Sequence, residues 1–244
     1  MKKTVKNSPK NAEMSSMIAH ELRSPIGAIR AAASLLADGS YGKLPRKAKE
    51  TAMLIQNAAD RLLSQTEGYL RLMQLSSGFY EAQNEPYAVE DLIKKLIAEW
   101  KPQAKLKKLK LKSAFRNIPD TLFIDQALLT HVIYNLLDNA IRYTDSGFIE
   151  VNVTWRAGIL TILIKDTGRG ITTEIKKELF KHPKYCMKKN RSKGCGMGLG
   201  LYIVAEFIKS ANGTIDIQSK GKNKGSTFIV HLPAVKVDGG NTNR

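Results

Sequence analysis

The sequence predicts an α+β protein in two parts: an N-terminal helical hairpin that closes into a dimeric four-helix bundle, and after it an α/β sandwich. Three observations carry this. Ile18, Leu22, Pro25, Ile29, Ala32 and Leu36 recur at spacings of four and three, and after an interruption Ile55, Ala59, Leu62, Thr66, Tyr69 and Met73 repeat the pattern. Beyond residue 86 strands and helices stop alternating regularly, which favours helices on one face of a mostly antiparallel sheet. A composition that is 43% hydrophobic and 25% charged over 244 residues is enough for a buried core.

The first helix is expected from Met14 to Leu36. "ADGSYGKLP" (37 to 45) ends it with glycines and a proline, and the second apolar pattern follows. A lone hairpin of this size leaves too much apolar surface in water, so its seam is expected to meet a second copy. "SSGFYEAQNEP" (76 to 86) reads as a connector. After it come a helix near 90 to 101, a strand near 109 to 115 and a helix from about Asp125 to Tyr143. Strands near 148 to 155 and 159 to 165 flank the turn "RAG" (156 to 158). A last helix is placed near 199 to 211, with strands at 213 to 219 and 226 to 232. The domains read as 1–78 for the hairpin, 79–86 for the linker, 87–234 for the sandwich and 235–244 for a disordered tail.

No apolar run approaches the roughly 18 residues that span a bilayer, and polar residues follow the "MKK" start, so a cytosolic location is expected. Any membrane sensor would lie outside this sequence. Two cysteines, Cys186 and Cys195, are too few for a disulfide framework, and with His182 they lack a fourth zinc ligand. The net charge of +17 attracts anions in general. Its densest run, "KPQAKLKKLKLK" (101 to 112), reads as a solvated helix end entering an amphipathic strand. No aromatic interleaving accompanies it, and no nucleic acid partner is expected.

Four short stretches carry chemistry. In "MIAHELRSPIGAI" (17 to 29), His20 points about 200° away from the apolar seam and is expected to face water. Glu21 beside it can accept a hydrogen bond from one ring nitrogen and leave the other as a nucleophile. Pro25 removes the N–H that the Glu21 carbonyl would accept, so a bend is expected there. In "NLLDNAIRYT" (135 to 144), Asn135 and Asn139 stand one helical turn apart, with amide oxygens suited to a hard cation such as Mg²⁺. Arg142 can reach phosphate oxygens, and Tyr143 offers a wall for a base. In "ILIKDTGRGI" (162 to 171), Asp166 ends a strand, where a carboxylate can accept from an exocyclic amine. Gly168 and Gly170 allow backbone to approach a ligand. "GCGMGLGLYIV" (194 to 204) places glycines before an apolar helix, a cradle of N–H groups for phosphate.

Taken together, "AHELRSP", "NLLDNAIRYT", "DTGRGI" and "GMGLGL" resemble, in order and spacing, the H box, N box and two glycine boxes of the sensor histidine kinases of two-component signalling. The resemblance covers nearly the whole chain and implies a Bergerat-type ATP-binding fold after the hairpin. It implies that His20 is autophosphorylated, with Glu21 as base or orienting partner. Asn139, helped by Asn135, would hold Mg²⁺, and Asp166 would read the adenine amino group of ATP. Arg142 and Tyr143 would contact the nucleotide, while Gly168, Gly170, Gly196, Gly198, Leu199 and Gly200 would frame the lid and phosphate loop. Thr227 in "KGSTF" matches a family position close to the adenine pocket. The implied partners are a second copy of the chain, the receiver domain of a response regulator, and an upstream sensor protein or domain not in this chain.

Two departures stand out. Position 24 is Ser, where the family commonly has Thr or Asn, a residue linked to dephosphorylation of the partner. The lid "KELFKHPKYCMKKNRSKG" keeps Phe180 but is basic, with Lys184, Lys188, Lys189 and Arg191 as candidate phosphate contacts. Two other readings share the pocket. Gyrase-type and chaperone ATPases carry a water-activating glutamate at the first N-box position, where this chain has Asn135, which cannot act as a base. The His20 hairpin also has no purpose in that reading, and a scaffold that binds ATP without chemistry is disfavoured because every box is intact.

Overall fold

In the computed structural model, residues 9–76, 82–179 and 199–237 are described. The chain divides into two compact units, Met1–Tyr80 and Glu81–Arg244.

The first unit is a hairpin of α1 (Pro9–Asp38) and α2 (Arg46–Ser76), with Pro25 inside α1. Gly39 and Gly42 turn the chain at φ +89° and +104°, a region that side chains with a Cβ avoid. Asp38 accepts from the Ser40 amide and hydroxyl, and these bonds hold its carboxyl below the usual range. Small residues let the helices close: Ala33 on α1 and Ala52 and Ala59 on α2 are buried, together with Ile26. Arg30 and Asp60 pair across them at 2.9 Å.

The stripe read from the sequence as the seam lies mostly outside the contact between the two helices of one chain. Leu22, Ile29 and Leu36 are exposed, as are Ile55 and Leu62, with Ile29 at 53% and Leu62 at 50%. The contact within the hairpin is offset along each helix, because two packed helices bury only the face they turn to each other. The large apolar residues form a second face, uncovered within one chain.

The second unit holds a five-stranded sheet and a small three-stranded one. The larger comprises β2 (Lys110–Arg116), β4 (Phe148–Arg156), β5 (Ile159–Asp166), β6 (Thr214–Gln218) and β7 (Ser226–Pro233), in the order β2-β4-β5-β7-β6. Only the β2–β4 pair is parallel. The smaller joins β1 (Asn84–Tyr87), β3 (Leu122–Asp125) and β8 (Val235–Lys236) in the order β1-β3-β8. Three of its consequences correct the sequence reading. Residues 84 to 86 belong to a strand where a connector was expected, Val235 and Lys236 pair where a tail was expected, and β3 was not anticipated. All three strands are too short to show a period, and each exists only through a partner distant in sequence.

Along β4, β5 and β7 every second residue is buried: Ile149, Val151 and Val153, then Leu160, Ile162 and Ile164, then Phe228, Val230 and Leu232. That face meets the long helices α3 (Val89–Leu106), α4 (Gln126–Tyr143) and α6 (Leu199–Ser210), while a short α5 covers Thr173–Glu178. The third helix continues through Pro102 to Leu106, five residues beyond the expected end. Ala104 on its last turn is buried. Asp125 caps α4 through Oδ1, which accepts from the Leu128 amide at 2.8 Å, a bond that typically contributes about 1 kcal/mol. Its Oδ2 accepts from Gln83 N at 3.1 Å and so ties the start of β1 to the same helix end.

Candidate functional site

The candidate site is built from the C-terminal half of α4, the end of β5 with the loop after it, the start of β7 and the first turn of α6. Asp166 is the last residue of β5 and stands opposite Ser226, the first of β7. Residues directly opposed in an antiparallel ladder share a face, so both turn to the helix-covered side, at 5% and 8% exposure. Asp166 Oδ1 accepts from the Gly168 amide at 2.8 Å and the Ser226 amide at 3.3 Å, and Oδ2 accepts from the Ser226 hydroxyl. These three donors fix the carboxylate rotamer at the mouth of the loop.

Thr227 has to be corrected. It pairs with Lys165, which is exposed, so it lies on the face of the sheet opposite to Asp166. Adjacent residues of a strand point to opposite faces, and the hydroxyl that meets Asp166 is that of Ser226. The sequence held a clue, because Ser226, Phe228, Val230 and Leu232 form the alternation of which Thr227 is not part.

The loop after Asp166 is pinned on two sides. A Cβ on Gly168 would stand 2.3 Å from the Tyr143 carbonyl oxygen, so only glycine lets the loop lie against the end of α4. Gly170 has φ +66°, and a Cβ there would stand 2.1 Å from the Gly221 carbonyl oxygen. Arg169 N donates to Tyr143 O at 3.0 Å, and Gly225 N donates to Gly168 O at 3.0 Å. At the surface the Arg169 guanidinium donates to both Asp145 oxygens at 3.1 and 3.2 Å, holding that carboxyl below its usual range. Gly168 of "DTGRGI" thus docks the strand end on the N-box helix, while Gly170 docks the loop against the turn at Gly221.

On α4, Asn135 Nδ2 donates to the His131 carbonyl at 2.9 Å and lies 2.9 Å from His131 Nε2. Its Oδ1 faces Gly200, where an added Cβ would come within 2.4 Å. Asn139, one turn on, is half-buried, and among the described residues no hydrogen bond engages its amide. The two asparagines thus differ: the first is tied into the α4–α6 seam and the second keeps an oxygen for a ligand. Arg142 pairs with Asp138 at 2.6 Å, and its Nε is buried without a hydrogen-bond partner among the described residues. Tyr143 is half-buried beside it. Sequence reasoning missed Lys107, whose Nζ donates to the carbonyls of Ile141 at 2.7 Å and Arg142 at 3.1 Å. A cation at the C-terminus of α4 answers the orphan carbonyls and the helix dipole there.

The remaining predicted residues fall as follows. Glu21 and Ser24 are exposed on α1, and His20 is in the helical part of α1, its side chain outside the described residues. Leu199 opens α6, with its side chain also outside them, and Gly196 and Gly198 lie outside them altogether. So do Phe180, His182, Lys184, Cys186, Lys188, Lys189, Arg191 and Cys195. Among the described residues no three His, Cys, Asp or Glu gather, and no helix is long and apolar enough to cross a membrane. Asn139 by itself is a fitting donor for Mg²⁺, which is held by one or two protein oxygens, waters and substrate phosphates.

Residues 10–78 match the family model described as His Kinase A (phospho-acceptor) domain, and residues 124–236 match that of the histidine kinase-, DNA gyrase B-, and HSP90-like ATPases. The sensor protein RprX of Bacteroides fragilis (strain YCH46) is 31% identical over 222 residues, covering 90% of this chain and 43% of its own. A sensor-like histidine kinase of Rhizobium meliloti (strain 1021) is 29% identical over 220 residues, covering 89% and 42%. The chain thus spans less than half the length of these relatives. Among solved structures, full-length ShkA in complex with AMPPNP has a TM-score of 0.66 at 22% identity, covering 92% of this chain and 46% of that one. The histidine kinase AdeS of Acinetobacter baumannii has a TM-score of 0.58 at 22% identity, covering 88% and 97%.

Proposed function

The chain belongs to the sensor histidine kinases, and from that premise we propose that it is an ATP-dependent protein-histidine kinase that phosphorylates His20 and passes the phosphoryl group to an aspartate of a response regulator. The observation that carries the reading is the buried Asp166, held by Ser226 and Gly168 with its loop docked on the N-box helix, in one chain with a phosphoacceptor hairpin. A fixed, buried acceptor at that place suits the amino group of adenine, and the first turn of α6 suits the phosphates.

The chemistry follows from position. A ring nitrogen of His20 attacks the γ-phosphorus in line, the bond from that phosphorus to the β,γ-bridging oxygen breaks, and ADP leaves. Glu21, adjacent in sequence, accepts a hydrogen bond from the other ring nitrogen and stabilises the charge the ring acquires. Asn139 would hold Mg²⁺, which when bound neutralises charge on the β- and γ-phosphates. Asn135 has no carboxylate to activate water, which keeps hydrolysis from competing. The phosphorylated imidazole then gives its phosphoryl group to a regulator carboxylate, restoring neutral His20. Ser24, exposed on the same helix, is the hydroxyl through which a phosphatase step would run. The uncovered apolar face of the hairpin supports a homodimer.

Incubation with γ-labelled ATP and Mg²⁺ tests the whole reading. The expected product is an acid-labile, alkali-stable label on the protein, absent in His20→Gln and in Asn139→Ala. Acid-stable label, or phosphate release without labelled protein, would replace this function with another.

A further inference from the structure

His131 is a buried imidazole that no part of the proposed reaction uses. It sits on α4 one turn before Asn135, and its ring meets the fully buried Phe207 of α6 edge-on, with centroids 5.0 Å apart. As a filler of that seam an apolar side chain would serve equally well, so the polar contacts of the ring are what require a reason.

The hydrogen bonds define the protons. The His131 carbonyl oxygen can only accept, so the end of the Asn135 carboxamide that lies 2.9 Å from it is the nitrogen. An amide nitrogen can only donate, so His131 Nε2, also at 2.9 Å, must be the acceptor, and the ring carries its hydrogen on Nδ1. Both amide hydrogens of Asn135 are then engaged, and Oδ1 is turned to Gly200 of α6, where an added Cβ would come within 2.4 Å of it. The seam thereby includes two contacts, Asn135 on Gly200 and His131 on Phe207, and one ring engages both.

We propose that His131 is a positioning residue for the nucleotide site: its Nε2 locks the carboxamide of Asn135 so that Oδ1 stays against the first turn of α6, which keeps that helix N-terminus in register with Asn139. The proposal rests on the reading of the site as an ATP pocket. His131 touches no reacting atom; it acts through Asn135.

The test is a double-mutant cycle on the full chain, read by calorimetric titration with a non-hydrolysable ATP analogue and Mg²⁺ and by thermal unfolding. Loss of one neutral hydrogen bond is expected to raise Kd about fivefold in His131→Leu without lowering the unfolding temperature. His131→Gln, which restores an acceptor, should bind within about twofold of the parent, and His131→Leu should add nothing in the Asn135→Ala background. If the leucine variant does not fold, His131→Met takes its place in the same cycle. An effect undiminished in the Asn135→Ala background, or glutamine binding no better than leucine, overturns the role of His131 while leaving the kinase reading intact. Absence of analogue binding by the unaltered protein overturns both.

Discussion

Ser226 stands directly opposite Asp166 across the β5–β7 ladder, and its hydroxyl donates to the Asp166 carboxylate on the helix-covered side of the sheet. Thr227, the next residue, shares none of that geometry. Replacing Ser226 by Ala is therefore expected to weaken ATP-analogue binding about tenfold or more, the effect of one hydrogen bond to a charged group. Thr227→Ala should stay within about twofold. Equal losses in the two variants would contradict the strand register.

Gly168→Ala forces a Cβ to within 2.3 Å of the Tyr143 carbonyl oxygen and 2.8 Å of the Thr144 hydroxyl, and the backbone carbonyl leaves little room to yield. The loop is expected to leave α4, with nucleotide affinity falling more than about tenfold and unfolding free energy by about 1–3 kcal/mol. Circular dichroism should show the helix content unchanged. Normal binding by this variant would mean the loop is not docked as described.

Asp145 titrates lower in the folded protein than its ordinary value of 3.8, because Arg169 donates to it. With the folded value depressed, the contribution of this pair is fully present above the unfolded value and is lost as pH falls through the folded one. Asp145→Asn should consequently lower the urea midpoint at neutral pH and leave it unchanged well below pH 3.8. Because both side chains are exposed, added salt should shrink the difference. A difference that persists at low pH would assign the effect to something other than the ion pair.

Ile29 and Leu62 lie on the uncovered face of the hairpin. Ile29→Glu combined with Leu62→Glu should convert a dimer to monomer in light scattering, with helix content retained, since neither side chain is buried within one chain. A dimer that survives both changes would move the interface elsewhere.

Much of the site was legible in linear sequence where short-range chemistry fixes it. Asp166, Gly168 and Gly170 announce a strand end and a tight loop, and the spacing of Asn135 and Asn139 places them on one helix face. Ser226 was not legible because a choice between adjacent hydroxyls in a strand depends on the register with β5. His131 was not singled out, since nothing in its own segment tells that an amide one turn away and an aromatic ring of α6 converge on it. Lys107 was likewise hidden, its carbonyl partners more than thirty residues away along the chain.

By itself the sequence determined the hairpin, the strands of the larger sheet, the long helices and the four boxes, because periodicity, glycine and proline act over a few residues and leave a local pattern. Only the tertiary structure decided which hydroxyl holds Asp166, which asparagine keeps its oxygen available and which apolar face the hairpin covers. Those outcomes depend on the pairing of segments far apart in the chain, where a shift of one residue in a strand or a fraction of a turn in a helix exchanges inside for outside.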